Sequence, residues 1–437
     1  MRKIIFITIF IPHFFTKAFA LSSPKGKITH SISQKSLIFT AIMRAATIFF
    51  LFFSSALWSQ QIRGKVIDSA SQKPLAKASV FINSTSIGTT TNEKGEFSID
   101  KSSSGKFDLV ISFVGYQTLL TNISLPENKF LIFNLKPKDD MLATVVVRSY
   151  EKNGWKRWGF LFTNRFIGTT ALSDDCKITN PKDIRFSYSE NERILRAYSV
   201  KPLTIINKAL GYKIEYDLEE FYYDMNSDML LYLGYPLFAE LDGSKSKQRR
   251  WQRLRQQTYQ GSLLQFMRVI NQNKIEQAGF QIRHLVRNPN KEKERVKRIW
   301  KYYSAGNLKL PQDTINSYKR ILDQNDFIDI LYPQFLTYNS IAKFIDTDNI
   351  AVNFKDYLYI TYPKKKAAVE YFAQNFNARR DSCITALVTL NSADSIIVTN
   401  SGSFYNPTNL IMSGYWGWSE KIATMLPFDY KPYKENL

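Results

Sequence analysis

A chain of 437 residues with 59 Lys or Arg against 38 Asp or Glu, a formal charge of +21, exceeds one small domain and is basic enough to seek an anionic partner. Of its three histidines only His284 lies beyond residue 59, so no set of imidazoles is available for a His-based zinc centre. Its two cysteines, Cys176 and Cys383, lack any C-x-x-C spacing; in an oxidising compartment they could pair, or stand as isolated buried thiols.

Two apolar segments open the chain. The first sets Arg2 and Lys3 before residues 4–15 and the small residues of Ala18-Phe19-Ala20; the second sets Arg44 before residues 45–57, with a cut expected near Ser59 or Gln60. A positive start, a short apolar core and small residues at the cut are the pattern of a secretory signal, and both cores are too short to span a bilayer. Residues 43–59 are expected to be the signal, with Met43 the true start and 1–42 an upstream misassignment. No Cys follows either run where a lipid could be attached. The expected product is exported, to the periplasm or the outer-membrane surface, without being an integral membrane protein. Residues 1–59 hold seven basic and no acidic residues, which leaves 52 basic and 38 acidic, a charge of +14. Nucleic acid is the usual partner of such a chain, but export argues against it. Anionic envelope lipid, acidic glycan or an acidic protein surface is expected instead.

Residues 60–148 read as an all-β sandwich. Strands are predicted at 62–68, 78–82, 96–99, 107–113, 116–123 and 130–135, separated by turn clusters such as Ser69 with Lys73-Pro74 and Asn92-Glu93-Lys94-Gly95. Gly64, Val66, Asp68, Pro74, Leu75, Ala78, Val80, Gly88, Thr90, Gly95, Phe97 and Gly115-Tyr116 carry a resemblance to the carboxypeptidase regulatory-like domain, a transthyretin-like sandwich. That resemblance implies an accessory fold rather than peptidase chemistry, because the zinc ligands of metallocarboxypeptidases lie in a separate domain. Asp68 and the Thr89–Thr91 run are expected to serve turns and edges. The junction from Asp139 to Arg148 resembles the segment that follows the same sandwich in TonB-dependent receptors, but the chain is too short for a plug and barrel and lacks their serial strand pairs.

Residues 149–437 are expected to be α+β. Strands are predicted at 212–223, 229–241, 280–286 and 357–362, a hairpin at 383–390 and 395–399, and helices at 258–272, 313–322 and 419–425. The segments 255–280 and 402–430, with Tyr259-Gln260-Gly261-Ser262 and Gly414-Tyr415-Trp416-Gly417-Trp418, resemble a group of exported proteins that join this sandwich to a C-terminal domain without an established activity.

Chemistry has few candidates. No Gly-x-Ser-x-Gly elbow accompanies His284, which reads as a structural hydrogen-bonding residue. Asp217 and Glu219 share a predicted strand face with Glu215, and could hydrolyse glycosidic bonds or hold calcium; the competing reading is a solvated face of Lys213, Glu215, Asp217 and Glu219. Lys245, Lys247, Arg249, Arg250, Arg253 and Arg255 form a basic run without an internal acid; its four arginines are the anion-binding candidates, against a plain exposed loop. The run at Lys291, Lys293, Arg295, Lys297, Arg298 and Lys301, interrupted by Glu292 and Glu294, reads as a solvated helix with internal ion pairs. Trp416 and Trp418 could stack on sugars, or fill a core. The expectation is a non-catalytic binding or scaffold protein of the envelope, without cofactor, contacting a protein or glycan, or an anionic membrane surface, through its C-terminal region. A carboxylate-dependent hydrolase of glycans or peptides is the alternative.

Overall fold

Short alternating strands close the N-terminal sandwich in the computed structural model, which describes residues 60–101, 105–125, 129–138, 150–374 and 382–433. The segments predicted to be signals and the junction at 139–148 lie outside the described residues. Strand β1 (Gln60–Asp68) sits between β4 (Glu96–Lys101) and β7 (Leu131–Leu135), antiparallel to the first and parallel to the second. The facing sheet runs β3 (Gly88–Thr90), β2 (Ser79–Ile82), β5 (Gly105–Ser112), β6 (Leu119–Leu125). Alternate residues of the two sheets, Ile62, Val66, Val80, Ile82, Phe97, Ile99, Leu109 and Ile111, fill the core between them. Gly64 is required by close approach: a Cβ there would lie 2.4 Å from the Leu131 carbonyl oxygen and 2.8 Å from the Phe97 ring. Asp68 does turn chemistry as expected. Its carboxylate accepts from the Ala70 and Ser71 amides and from the Tyr116 hydroxyl, and these bonds, the Ser71 amide first, hold it down at about 2.

The remainder is mixed α/β around two further cores. In the first, β12 (Tyr212–Asp224) pairs along its whole length with β13 (Met229–Glu240); the other edge of β12 is shared between β10 (Ile194–Ser199) and β11 (Leu203–Asn207). Ser199 bridges the gap between those two strands, its hydroxyl lying 3.2 Å from the Leu218 amide that donates to it. Strands β8 (Cys176–Ile178) and β9 (Ile184–Ser189) complete the sheet. Helix α1 (Gly154–Phe166) packs Phe162 and Phe166 onto Phe186, Phe221 and Tyr216.

The basic run and the predicted helix at 258–272 fold differently from expectation. They form two helices, α2 (Lys245–Tyr259) and α3 (Leu263–Asn271), with α4 (Ile275–Ala278) after them. The break falls at Gly261, whose φ of +77° favours glycine, and Ser262 caps α3 by accepting from the Gln265 amide at 3.1 Å. The second core lies under a sheet ordered β15 (Phe327–Phe335), β14 (Gln281–Pro289), β18 (Tyr357–Lys366), β19 (Cys383–Leu390), β22 (Leu410–Gly414). A smaller sheet, β16 (Ala342–Phe344), β17 (Asn349–Val352), β20 (Ile396–Thr399), β21 (Phe404–Tyr405), shares that core with α3. The predicted hairpin at 383–399 is therefore wrong: β19 and β20 enter different sheets, because the strong partners of β19 are β18 and β22. Between β14 and β15 stand α5 (Lys291–Ser304) and α6 (Gln312–Leu322); α7 (Tyr338–Ile341), α8 (Val369–Gln374) and α9 (Tyr415–Ser419) are short. The expected terminal helix at 419–425 is reduced to α9 and one 3-10 turn at Ile422–Thr424. Among the described residues no helix is long and apolar enough to cross a membrane.

Candidate functional site

The carboxylates of β12 do not share one solvated face. A bulge between Leu218 and Glu220, opposite Gly234 and Leu233, adds a residue and reverses the alternation beyond it. Asp217 precedes the bulge and keeps the face of Glu215, but the sandwich covers it there, while Glu219 stands exposed on the bulge. Glu215 remains at the surface, paired with Lys213 at 2.7 Å and accepting from the Thr204 hydroxyl; Glu220 pairs with Arg196 at 3.2 Å. Partial enclosure and then the neighbouring Asp217 charge push the Glu219 carboxyl upward, against Lys138.

Asp217 faces the sandwich. One carboxylate oxygen accepts from Ser112 Oγ at 3.1 Å and from Thr118 Oγ1 at 2.6 Å. It lines a cavity of about 270 Å³ with Lys77, Ser79, Tyr116 and Lys138. Backbone bonds add to the same docking: the Ser84 amide donates to Pro236, and Thr85 bridges Leu237 and accepts from the Phe238 amide at 3.0 Å. From the C-terminal end, the Phe428 amide donates to Ser84 and the Asp429 carboxylate accepts from Ser86. Asp217 thus joins the sandwich to β12.

The four candidate arginines separate. Arg255 is buried: Nε donates to the Leu210 carbonyl at 2.7 Å, Nη2 to Gly211 at 3.1 Å, and Nη1 to the Glu240 carboxylate, with the guanidinium 3.8 Å over the Tyr212 ring. It is not available to a ligand. Arg249, Arg250 and Arg253 are exposed on α2, so the run is a helix rather than a loop, and Arg250 lies 3.6 Å from Asp175. A signal for this was present in the sequence, since Trp251, Arg255 and Tyr259 recur every fourth residue and form the buried stripe of α2.

Trp416 is a core residue, 1% exposed, whose indole N–H donates to the Gly261 carbonyl at 2.8 Å. Trp418 packs on Tyr371 and Tyr415 and donates to Thr169. Neither ring offers a free face of the kind a sugar platform needs. His284 stacks on Tyr332 and lies 3.0 Å from the Asp356 carboxylate. Both cysteines are free, and burial pushes the Cys176 thiol up to about 12. Among the described residues no group of three or more His, Cys, Asp or Glu is placed to hold a metal ion.

Two features escape the sequence pattern. One is an enclosed ionic group between the two C-terminal cores. Glu420 accepts from the Leu263 amide at the start of α3, 3.1 Å away, close to Lys365 and Lys421. Burial raises its carboxyl to about 7, and burial with the Arg165 charge lowers Lys421 to about 8.

The other is an arm. Strands β14 and β15 form a hairpin whose tip is the α5–α6 pair. Buried Asn290 holds the tip together: its side chain caps α5 at the Lys293 amide, and its own amide donates to Asp326. Lys293 and Lys297 both pair with Asp326. On β15, Phe327, Ile328, Ile330, Tyr332 and Phe335 are each between 44% and 57% exposed. Their apolar run reads in sequence like an interior strand; exposure is decided by what fails to pack on it.

The comparisons bear on the sandwich. Residues 62–147 match the family model described as the CarboxypepD_reg-like domain. The N-terminal domain is regulatory-like. No curated protein matches the chain. A 9R-lipoxygenase from Cyanothece aligns over 57% of this chain and 50% of its own length, at 9% identity and a TM-score of 0.15. This chain spans half that enzyme's length, and a likeness of that size carries no argument.

Proposed function

We infer that the chain is a non-catalytic contact protein of the cell envelope, in which the regulatory-like sandwich braces a C-terminal region that meets the partner. The observation that carries this reading is the β14–β15 arm, which presents large apolar side chains to solvent over nine consecutive residues of an edge strand. Isolated exposed apolar residues are ordinary, whereas a contiguous set of this kind marks an interaction surface.

A hydrolase built on Asp217 and Glu219 is the competing reading. It requires Asp217 to be free for substrate, yet two sandwich hydroxyls occupy one of its oxygens. Asp217→Ala is expected to lower stability by about 1–3 kcal/mol, because both hydroxyls lose their acceptor at a buried junction. Thermal melting measures that loss. Assays with peptide and glycan substrates are expected to show no saturable turnover; a saturable rate that Asp217→Asn abolishes would overturn the reading in favour of the hydrolase.

A further inference from the structure

We propose that the β14–β15 arm docks onto an anionic lipid bilayer surface, its helical tip meeting the headgroups and its exposed strand entering the interfacial layer. This rests on the arm being the contact surface of the proposed function, and it names the partner.

Three observations favour lipid. First, apolar residues occupy both faces of β15. Phe327 and Phe335 lie on the side of Arg287 and Arg283, whose guanidinium groups sit 5.8 and 6.0 Å from their rings, while Ile328, Ile330 and Tyr332 alternate to the other side. A protein docking on one face would leave the other wet, whereas the interfacial layer surrounds a projecting arm.

Second, the edge is poorly suited to strand addition. The Asn290 amide bonds Asp326 and the Leu336 amide bonds Ile282, which turns the backbone of even-numbered residues toward β14. Odd-numbered residues then face the free edge, where Pro333 has no N–H and the register shift after Leu331 bends the strand. The side chains, rather than the backbone edge, are what the arm offers.

Third, the tip is cationic. The segment from Lys291 to Leu322 holds nine Lys or Arg against three Asp or Glu. Lys291, Arg298, Lys301, Lys309, Lys319 and Arg320 are all exposed, with no acidic partner among the described residues. Tyr302, 64% exposed, and Leu308 add amphipathic and apolar contacts on the same tip. Cations beside exposed aromatic and aliphatic side chains are the chemistry of an anionic interface. Aliphatic Ile328, Ile330 and Leu308 have no comparable use on an acidic glycan.

The test is co-sedimentation of the chain from Gln60 onward, which forms one compact unit, so that the apolar leader segments contribute nothing. Vesicles of phosphatidylglycerol with phosphatidylcholine are compared with phosphatidylcholine alone. Binding is expected to the anionic vesicles only, and to fall as salt rises from 0.1 to 1 M. At roughly 1 kcal/mol per surface cation, combining Lys301→Gln, Lys309→Gln and Lys319→Gln is expected to weaken binding on the order of a hundredfold. Ile328→Ser with Ile330→Ser is expected to abolish it, with the melting temperature of both variants unchanged because the altered side chains are exposed. Equal binding to neutral vesicles, or binding that survives both variants, would overturn the proposal. So would a dimer in solution that dissociates on Ile328→Ser with Ile330→Ser while vesicles are ignored, which would leave the arm a contact surface for a second copy.

Discussion

Arg255→Met is expected to destabilise the protein by about 2–4 kcal/mol, whereas Arg249→Gln and Arg253→Gln stay within about 0.5 kcal/mol of the parent. The guanidinium of Arg255 is the partner of two backbone carbonyls, Leu210 and Gly211, at the turn that leads into β12. Methionine preserves the apolar stem but takes the guanidinium donor from the Leu210 oxygen, leaves the Gly211 oxygen with the Leu241 amide alone, and removes the cation from the face of Tyr212. The contribution of Glu240 is smaller, since its side chain is 67% exposed. Urea unfolding of the single variants decides the matter. If Arg255→Met unfolded at the parental midpoint, the role of α2 as a brace for this turn would have to be abandoned.

Glu420→Gln is expected to raise stability at pH 7.5 by about 1–3 kcal/mol and to change little near pH 4.5. Glutamine keeps an oxygen for the Leu263 amide while removing a charge held in an enclosed setting. The sign follows from the raised carboxyl. Between its ordinary value near 4.5 and about 7, the folded chain holds a proton that the unfolded chain has released, so stability falls as pH rises through that window. Lys421 acts in the opposite sense. From about 8 to its ordinary value near 10.5 the folded amine is neutral while the unfolded one is still charged, so stability recovers with increasing pH. The pair therefore places a shallow minimum between about 7 and 8 in the stability profile, and Glu420→Gln should erase its acid limb. Melting temperatures measured from pH 4.5 to 10.5 on parent and variant would show this; parallel profiles would contradict it.

What could be read from the sequence follows from how local each signal is. The sandwich was legible because its strands alternate between turn residues whose chemistry is self-contained, as at Asp68 with Ala70 and Ser71. Strand β12 was legible for the same reason, from its alternation of apolar and polar residues. The environment of Asp217 was not, because the alternation there is regular and its burial comes from Ser112 and Thr118 of the sandwich, a long-range contact that leaves no mark in the local pattern. The break at Gly261 was written in Gly261-Ser262, a left-handed residue followed by a cap, but the basic run before it masks a helix whose buried stripe includes an arginine. The arm could not be read at all. Ile328 and Ile330 would be interior in most sheets, yet on the edge strand β15 they stand 53% and 46% exposed.

The docking of the sandwich carries a temporal consequence. Ser84 and Ser86, in the N-terminal sandwich, are bonded to Phe428 and Asp429, more than three hundred positions later. Such a closure has high contact order, and it cannot form until Phe428 and Asp429 have been made. The sandwich can assemble early, yet this clasp waits for residues more than three hundred positions further on. Removing Phe428 and Asp429 should thus loosen the Ser84–Ser86 loop to proteases, while Asp217 and the backbone bonds to Pro236 and Phe238 still hold the sandwich.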